Sequence, residues 1–163
     1  ALCEESEYEG LIFPDDPSFA NPPSMTAAIR EYCHRTGQPA PESPADYCRC
    51  IFRSLAFRYR QVVEILGRMC DFPIRRLHVI GGGSRNRYLM QYAANALNMP
   101  VICGPVEGTA LGNVLMQMKA SGTADTLTRM REISAASVEL VTYFPEDTDK
   151  WNIEYERYKT TTL

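Results

Sequence analysis

The sequence predicts an α/β fold whose parallel sheet has fewer strands than such a sheet normally needs. In the middle of the chain, segments with helical periodicity alternate with short apolar runs, in the order helix, strand, helix, strand, helix. This alternation is typical of parallel strands joined by right-handed crossovers. Two or three strands are visible, whereas a parallel sheet is normally covered on both faces and has more. We therefore expect the opening strands of the sheet to be missing from these 163 residues.

Two helices are predicted after an irregular, proline-rich start. Residues 21–24 form a helix start with proline in the first turn, and this helix is expected to continue to about Arg35. Ser43 and Asp46 have the spacing of a capping box, with Asp in the place of Glu. The second helix is therefore expected to begin there and to end near Met69.

The second helix is predicted to face the core with one apolar stripe. The stripe consists of Ile51, Leu55, Tyr59, Val62 and Leu66. Charged residues lie largely off it, namely Arg53, Arg60, Glu64 and Arg68. This pattern indicates an amphipathic helix packed on the rest of the domain.

The remaining elements follow in order along the chain. Buried strands are predicted at 77–80 and 100–103, helices at 85–97 and from about 110 to Gly122, a weaker helix at 124–133 and a strand at 138–144. The helix that ends at Gly122 is expected to turn Leu111, Val114, Leu115 and Met118 inward. Trp151, Tyr155 and Tyr158 recur at helical spacing, so a last helix with an aromatic face closes the chain.

Composition excludes several classes of function. The formal net charge is −3, 45% of the residues are apolar and 23% are charged. This balance predicts a folded protein with no nucleic-acid partner and no affinity for an anionic membrane. No apolar run approaches the ~20 residues of a membrane span, and the acidic start at 1–10 is unlike a signal peptide.

Cysteines, histidines and carboxylates show no catalytic or metal-binding pattern. The six cysteines include no CxxC pair and are interpreted as reduced thiols, which places the protein in the cytoplasm. His34 falls late in a helix, and His78 is expected to be a core residue of a strand. The acidic residues are expected to be solvated or to cap helices and turns; they are Asp15, Asp16, Glu42, Asp46, Glu146 and Asp147.

The most informative segment is Gly81, Gly82 and Gly83, which lies between a predicted strand and a helix. Glycines let a backbone approach a ligand closely, and the helix start offers unpaired N–H groups and a partial positive charge. The segment lacks the Gly-Lys-Ser/Thr of a P-loop and has Asn86 where a dinucleotide fingerprint has glycine. Ser84 is expected to cap the helix. A tight turn with close packing is the alternative explanation.

A second turn, at residues 104–109, follows the next predicted strand. In open α/β sheets, ligands bind at the carboxyl ends of the strands. Both turns lie at such ends. We therefore expect the two turns to lie side by side and to flank one nucleotide.

At these residues the chain resembles the FGGY carbohydrate kinases of the actin-like ATPase superfamily. Residues 81–86 with Leu89, Gln91 and Ala94 are similar to the adenosine motif of that family, and residues 105–112 to its downstream PxExTAxG segment. The resemblance implies a partial RNase H-like C-terminal domain at 1–163 that lacks its opening strands. It implies that Gly82, Gly83 and Asn86 contact ATP or ADP while Gly81 shapes the turn, and that Glu107 and Thr109 organise the second loop.

Within that family, three blocks are most similar to the members that phosphorylate L-rhamnulose with ATP and Mg²⁺. The blocks are 13–22, 41–44 together with 50–56, and 77–86. The catalytic Asp, the phosphate-binding loop and most of the sugar pocket lie upstream in such kinases, so the resemblance implies that this chain is roughly their last third and is inactive alone. L-Fuculose or xylulose as substrate, a stand-alone nucleotide-binding or regulatory module, and a purely structural domain remain alternatives.

Overall fold

The fold combines several helices with one short sheet. The computed structural model describes Cys3 and residues 5–161, so Ala1, Leu2 and Glu4 of the acidic start lie outside the described residues. The helices are α1 Met25–Arg35, α2 Pro44–Met69, α3 Arg87–Leu97, α4 Gly108–Ala120, α5 Leu127–Ser137 and α6 Thr148–Thr161. The strands are β1 Leu77–Val79, β2 Val101–Cys103 and β3 Val141–Tyr143.

The three described strands form one sheet in the order β1-β2-β3. β1 and β2 are parallel, with Leu77 opposite Val101 and Val79 opposite Cys103. β3 pairs with the other side of β2 in the antiparallel direction. The predicted pair of parallel strands is confirmed, and β1 is left with one edge that no described strand pairs.

The predicted capping box at the start of α2 is confirmed. The backbone N–H of Asp46 donates to the Ser43 hydroxyl at 3.2 Å, and the Asp46 carboxylate accepts from the Ser43 N–H at 2.9 Å. Pro44 fills the first helical position, where its missing N–H costs no hydrogen bond. The helix ends at Met69, as expected from the sequence.

The apolar stripe of α2 is only partly covered. Leu55 and Tyr59 pack against the buried residues of α3 and β2. Val62 and Leu66 are 40% and 45% exposed, so the prediction that the whole stripe faces the core is wrong at this end. Together with residues 77–80 they line an apolar groove of about 540 Å³. The pattern predicts an apolar face, but nothing in the described part of the chain covers it.

The edge position of β1 changes two further predictions. Leu77 and Val79 are half-buried and His78 is exposed, so neither a fully buried strand nor a core histidine is found. On α4, Leu115 is buried as predicted, whereas Val114 is 52% exposed. An edge strand and an outer helix are each packed against the rest of the protein on one side only. Apolar residues that would be buried in a central element are therefore partly accessible here.

The C-terminal helix is part of the core. Trp151, Tyr155 and Tyr158 of α6 are buried against Phe57 of α2, as the aromatic spacing predicted. The ring centroids of Phe57 and Trp151 are 5.3 Å apart. Aromatic pairs at such distances contribute stability beyond the area that they bury, and α6 is therefore firmly joined to α2.

Three more features bear on the sequence predictions. All six cysteines are free in this structure. None of the helices in the described ranges is both long and apolar enough to span a membrane. The weaker predicted helix at 124–133 is found slightly later, as α5, because Thr126 caps it by accepting from the N–H of Arg129.

Candidate functional site

Two loops leave the carboxyl ends of neighbouring parallel strands. The first, residues 81–86, is called the glycine loop, and residues 104–109 are called the second loop. The Gly104 N–H donates to the Val79 carbonyl at 2.9 Å, and the Gly81 N–H donates to the Pro105 carbonyl at 3.0 Å. These bonds continue the β1–β2 pairing into the loops. The prediction that the two turns lie side by side is confirmed.

The glycine loop changes direction at Gly81. Its φ of 86° and ψ of −177° lie in a region that is essentially restricted to glycine. A short 3₁₀ helix, Gly82–Arg85, follows. The Ser84 hydroxyl is buried and donates to the Gly81 carbonyl at 2.7 Å, which holds this turn closed.

The residue that caps α3 is Asn86, and the prediction that Ser84 does so is wrong. The Asn86 Oδ1 accepts the Leu89 N–H at 3.1 Å. The 3₁₀ turn places Ser84 too early in the chain to reach the helix amides, so its hydroxyl bonds within the turn instead. Asn86 therefore uses its carbonyl oxygen for the helix, and its Nδ2 is the donor that it can offer to a ligand.

The surface of the glycine loop is open. A Cβ atom placed on Gly81, Gly82 or Gly83 would meet no atom within 4 Å. Gly82 and Gly83 are exposed, and neither has a positive φ. Close packing and backbone strain therefore explain Gly81 at most, and not the two glycines after it. An open surface of this kind is what a closely approaching ligand requires.

The second loop is closely packed. Gly104 has a φ of 114°, and a Cβ there would lie 3.1 Å from a methyl carbon of Leu140. A Cβ on Gly108 would lie 3.5 Å from Ile80, so the second loop rests against the end of β1. Glu107 precedes α4 without making a side-chain capping bond, and it is exposed. Its expected role in organising the loop therefore has no support in the observed contacts.

Both loops lead directly into helices. α3 begins at Arg87 and α4 at Gly108. The first turn of each helix carries N–H groups without helical partners and the positive end of the helix dipole. Because β1 and β2 are adjacent and parallel, these two helix starts lie at the same edge of the sheet, beside the open glycine surface.

A cavity next to the second loop lies on its β3 side. It has a volume of about 350 Å³, and its lining includes Pro105, Glu107, Leu111 and residues 137–139. No residue of the glycine loop lines it. In the described structure the glycine loop thus forms an exposed wall beside the second loop.

Acidic groups serve structural roles. Asp15 pairs with Arg58 at 2.6 Å, and Asp16 pairs with Arg35 at 3.0 Å and accepts from Ser18. The hydroxyl of Ser6 and the N–H groups of Ser43 and Glu42 lower the pKa of Asp46 to about 2. Within Cys3 and residues 5–161 there is no cluster of three or more His, Cys, Asp or Glu side chains suited to a metal ion.

Comparison with known proteins identifies a matching family. The profile of the FGGY family of carbohydrate kinases, C-terminal domain, matches residues 5–121. A rhamnulokinase of Bacteroides thetaiotaomicron is 51% identical over 157 residues, which is 96% of this chain and 32% of that protein. A rhamnulokinase of Pectobacterium atrosepticum is 43% identical over 93% of this chain and 31% of its own length. The chain thus spans about a third of the length of these relatives.

Solved structures show the same fold. A xylulose kinase from Rhodospirillum rubrum superposes with a TM-score of 0.56 at 21% identity, covering 76% of this chain and 25% of that chain. A gluconate kinase from Lactobacillus acidophilus superposes with a TM-score of 0.57 at 13% identity, covering 90% of this chain and 36% of that chain. At these identities the likeness concerns the fold alone.

Proposed function

The chain belongs to the FGGY family of carbohydrate kinases, and from this premise we propose that it forms one wall of an ATP site in a longer sugar kinase. In this proposal, Gly82, Gly83 and Asn86 contact the adenine and ribose side of ATP or ADP, and Gly81 sets the turn. The full-length protein transfers the γ-phosphate of ATP to the 1-hydroxyl of L-rhamnulose. Resemblance to relatives named rhamnulokinase supports this substrate.

The observation that carries the proposal is the open glycine surface beside two helix starts. Gly82 and Gly83 have neither the strain nor the packing that would demand glycine, so a ligand is the simplest reason for keeping side chains away. The Gly81–Pro105 hydrogen bond fixes this surface next to the second loop. A flat base or ribose can approach a backbone that carries no side chains, while Nδ2 of Asn86 offers a donor.

Phosphoryl transfer itself is assigned to the part of the kinase outside this chain. The reaction needs a base for the attacking hydroxyl, groups that neutralise the phosphates and a site for Mg²⁺. The acids described above are capping or paired, and the described residues offer no metal cluster. We therefore propose that the catalytic base, Mg²⁺ and most sugar contacts are held elsewhere, and that this chain alone transfers no phosphate.

The apolar groove between α2 and β1 is the proposed contact with the rest of the kinase. It joins the exposed half of the α2 stripe, including Val62 and Leu66, to the unpaired edge of β1. An exposed apolar groove beside an open strand edge is a typical docking surface. The relatives contain about twice as much further polypeptide, which is sufficient to supply the missing strands.

We further propose a cytoplasmic location with no nucleic-acid or membrane partner. All six cysteines are free, and three of the buried ones lie in the apolar clusters of the fold, which suits a reducing compartment. The net charge of −3 favours neither partner.

The test is phosphorylation of a panel of ketoses by the full-length protein with ATP and Mg²⁺. We expect L-rhamnulose to be phosphorylated at a higher kcat/KM than L-fuculose or D-xylulose. Activity on another sugar and none on L-rhamnulose would overturn the substrate. A separate calorimetric titration of the 163-residue chain with ATP tests whether this chain supplies only part of the ATP site. We expect weak binding, because the chain forms a single wall of that site. Tight binding by this chain alone would favour a stand-alone nucleotide-binding module.

A further inference from the structure

The chain around β3 contacts the supports of both nucleotide loops. This stretch, residues 138–146, is called the β3 segment, and it lies beyond the region that the family profile matches. Near its start, a Cβ on Gly104 of the second loop would lie 3.1 Å from a methyl carbon of Leu140 and 3.3 Å from the Glu139 carbonyl oxygen. Its other end is hydrogen-bonded to α3, the helix that follows the glycine loop.

Two amide side chains of α3 make these hydrogen bonds. The Gln91 Nε2 donates to the Phe144 carbonyl at 2.8 Å and to the Asn95 Oδ1 at 2.8 Å. The same Asn95 oxygen accepts from the Glu146 N–H at 2.9 Å. Both donor hydrogens of the Gln91 amide and both acceptor positions of the Asn95 carbonyl are thereby used. Two bonds join α3 to the β3 segment, and a third joins the two amides to each other.

The end of the β3 segment has little packing of its own. Phe144 is 64% exposed, and Glu146 is exposed as well. Asn95, in contrast, is only 7% exposed. An apolar side chain would serve packing equally well at such a buried position, because burying a polar group is costly unless it is hydrogen-bonded. The hydrogen bonds to the β3 segment therefore explain why an amide occupies this position.

The glycine loop depends on α3 for its position. Gly82 and Gly83 have no atom within 4 Å of an added Cβ, so side-chain packing does not place them. They take their position from β1 before the loop and from α3 after it. Leu89 and Met90 pack α3 on its neighbours through apolar contacts. Such contacts are non-directional, whereas hydrogen bonds restrict both distance and angle.

A small tilt of α3 would displace the glycine loop. From Asn86 to Asn95 the helix axis extends for about 14 Å, so a tilt of about 5° around its far end moves the loop by roughly 1 Å. A misplacement of about 1 Å can slow an enzymatic reaction roughly 100-fold. Since the β3 segment also touches Gly104, one stretch of chain contacts both α3 and the second loop.

We propose that Gln91 and Asn95 are positioning residues for the nucleotide. By binding the β3 segment, they hold α3, and with it the glycine loop, at a fixed place relative to the second loop. This inference rests on the proposed nucleotide wall, and it assigns neither amide a contact with the nucleotide. The β3 segment is then a working part of the nucleotide-binding unit, although the family profile ends before it.

The first test is the steady-state kinetics of Gln91→Met in the full-length kinase, with ATP and L-rhamnulose. Methionine has a similar length and no N–H donor, so both bonds of the Gln91 amide are lost. We expect the KM for ATP to rise roughly three- to tenfold, the usual effect of a lost hydrogen bond. The kcat and the KM for L-rhamnulose should change little. Gln91→Lys again supplies donors and should restore most of the affinity for ATP.

The control variant is Gln117→Met, the same substitution at an exposed glutamine of α4. We expect its KM for ATP to equal that of the wild type. Gln91→Glu keeps the shape of the side chain and cannot donate. It replaces Gln91→Met if that variant fails to fold, and the same rise in the KM for ATP is expected.

Hydrogen exchange of the same proteins, followed by mass spectrometry, gives a readout besides activity. Loss of the amide bonds should speed exchange at both ends of α3 through local opening. We therefore expect faster exchange in residues 81–86 and 144–147 of Gln91→Met, with unchanged protection of α2. Gln117→Met should show the wild-type pattern in both stretches.

The inference fails if folded Gln91→Met keeps both the KM for ATP and the exchange at 81–86 of the wild type. It also fails if kcat and both KM values worsen together, as a general loss of structure would produce. Comparison with Gly82→Val separates this inference from the proposed function. A raised KM for ATP in Gly82→Val alone would leave the nucleotide wall in place and remove the role of the amides. A wild-type KM for ATP in both variants would refute the nucleotide wall itself.

Discussion

The guanidinium of Arg53 on α2 donates to the carboxylate of Glu154 on α6, 101 residues later in the chain. Arg53 is only 2% exposed at its side chain and Glu154 is 16% exposed. The family profile ends at residue 121, so this ion pair joins a helix beyond the match to the centre of the matched region. Helix α6 is therefore a part of the fold and not an appendage.

We expect Glu154→Ala to destabilise the protein by about 3–5 kcal/mol, because it leaves a buried guanidinium without its carboxylate. Arg53→Met should cost less, since Glu154 can reach solvent. Glu132→Ala is the matched control, because its ion pair with Arg129 is exposed at both ends and should be worth under about 1 kcal/mol. Urea unfolding measures all three. Equal losses of unfolding free energy in Glu154→Ala and Glu132→Ala would show that the buried ion pair stabilises the fold no more than an exposed one.

Gly81 and Gly82 should respond differently to alanine. The φ of 86° at Gly81 should make Gly81→Ala destabilising by about 1–3 kcal/mol, the usual cost of a sparsely populated backbone conformation. Gly82→Ala should leave stability nearly unchanged, because its Cβ meets nothing within 4 Å. Thermal unfolding of the two variants without nucleotide measures the difference. A larger loss of stability in Gly82→Ala than in Gly81→Ala would contradict the observed loop geometry.

A larger side chain at Gly82 should instead affect nucleotide binding. We expect Gly82→Val in the full-length kinase to raise the KM for ATP about tenfold or more, which corresponds to a loss of ~1.4 kcal/mol of binding free energy. The KM for the sugar and the melting temperature should change little. Gly37→Asn, a change at a positive-φ glycine after α1, serves as the control. An unchanged KM for ATP in Gly82→Val would refute the proposed contact.

Stability at acid pH should depend on Asp46. The Ser6 hydroxyl and the Ser43 N–H lower its pKa from 3.8 to about 2. A lowered pKa in the folded state contributes stability above the unfolded pKa, and that contribution is lost as the pH falls from about 4 towards 2. Asp46→Asn should therefore flatten the pH dependence in this window. If the stability of Asp46→Asn falls with pH as steeply as that of the wild type, this expectation is contradicted.

The groove between α2 and β1 should be covered in the full-length protein. We expect Leu66→Glu to lower its melting temperature and its soluble yield, although Leu66 is 45% exposed in this chain, because burial of an unpaired charge is costly. Ile153→Glu on α6, at a residue that is 74% exposed, should have little effect. If both variants behave like wild type, the groove is not a contact with the rest of the kinase.

Local sequence signals predicted most of the elements and one part of the site. The capping box at Ser43, the aromatic spacing from Trp151 and the strand–glycine–helix order at 77–86 all correspond to observed structure. These signals succeed because caps, helical faces and glycine turns depend on residues within a few positions of each other. For the same reason, the amino-acid pattern correctly predicts that both loops follow the carboxyl ends of strands.

The sequence by itself determined the order of helices and strands, the apolar face of each helix and the glycines that leave a backbone open. Only the tertiary structure decided that Asn86 and not Ser84 caps α3, that Arg53 is buried against Glu154, and that Val62, Leu66 and His78 are exposed. The physical reason is that periodicity identifies a face, whereas burial depends on which distant segment covers that face. For the exposed end of the α2 stripe, the described part of the chain contains no such segment. An apolar pattern by itself does not indicate whether a covering segment is present.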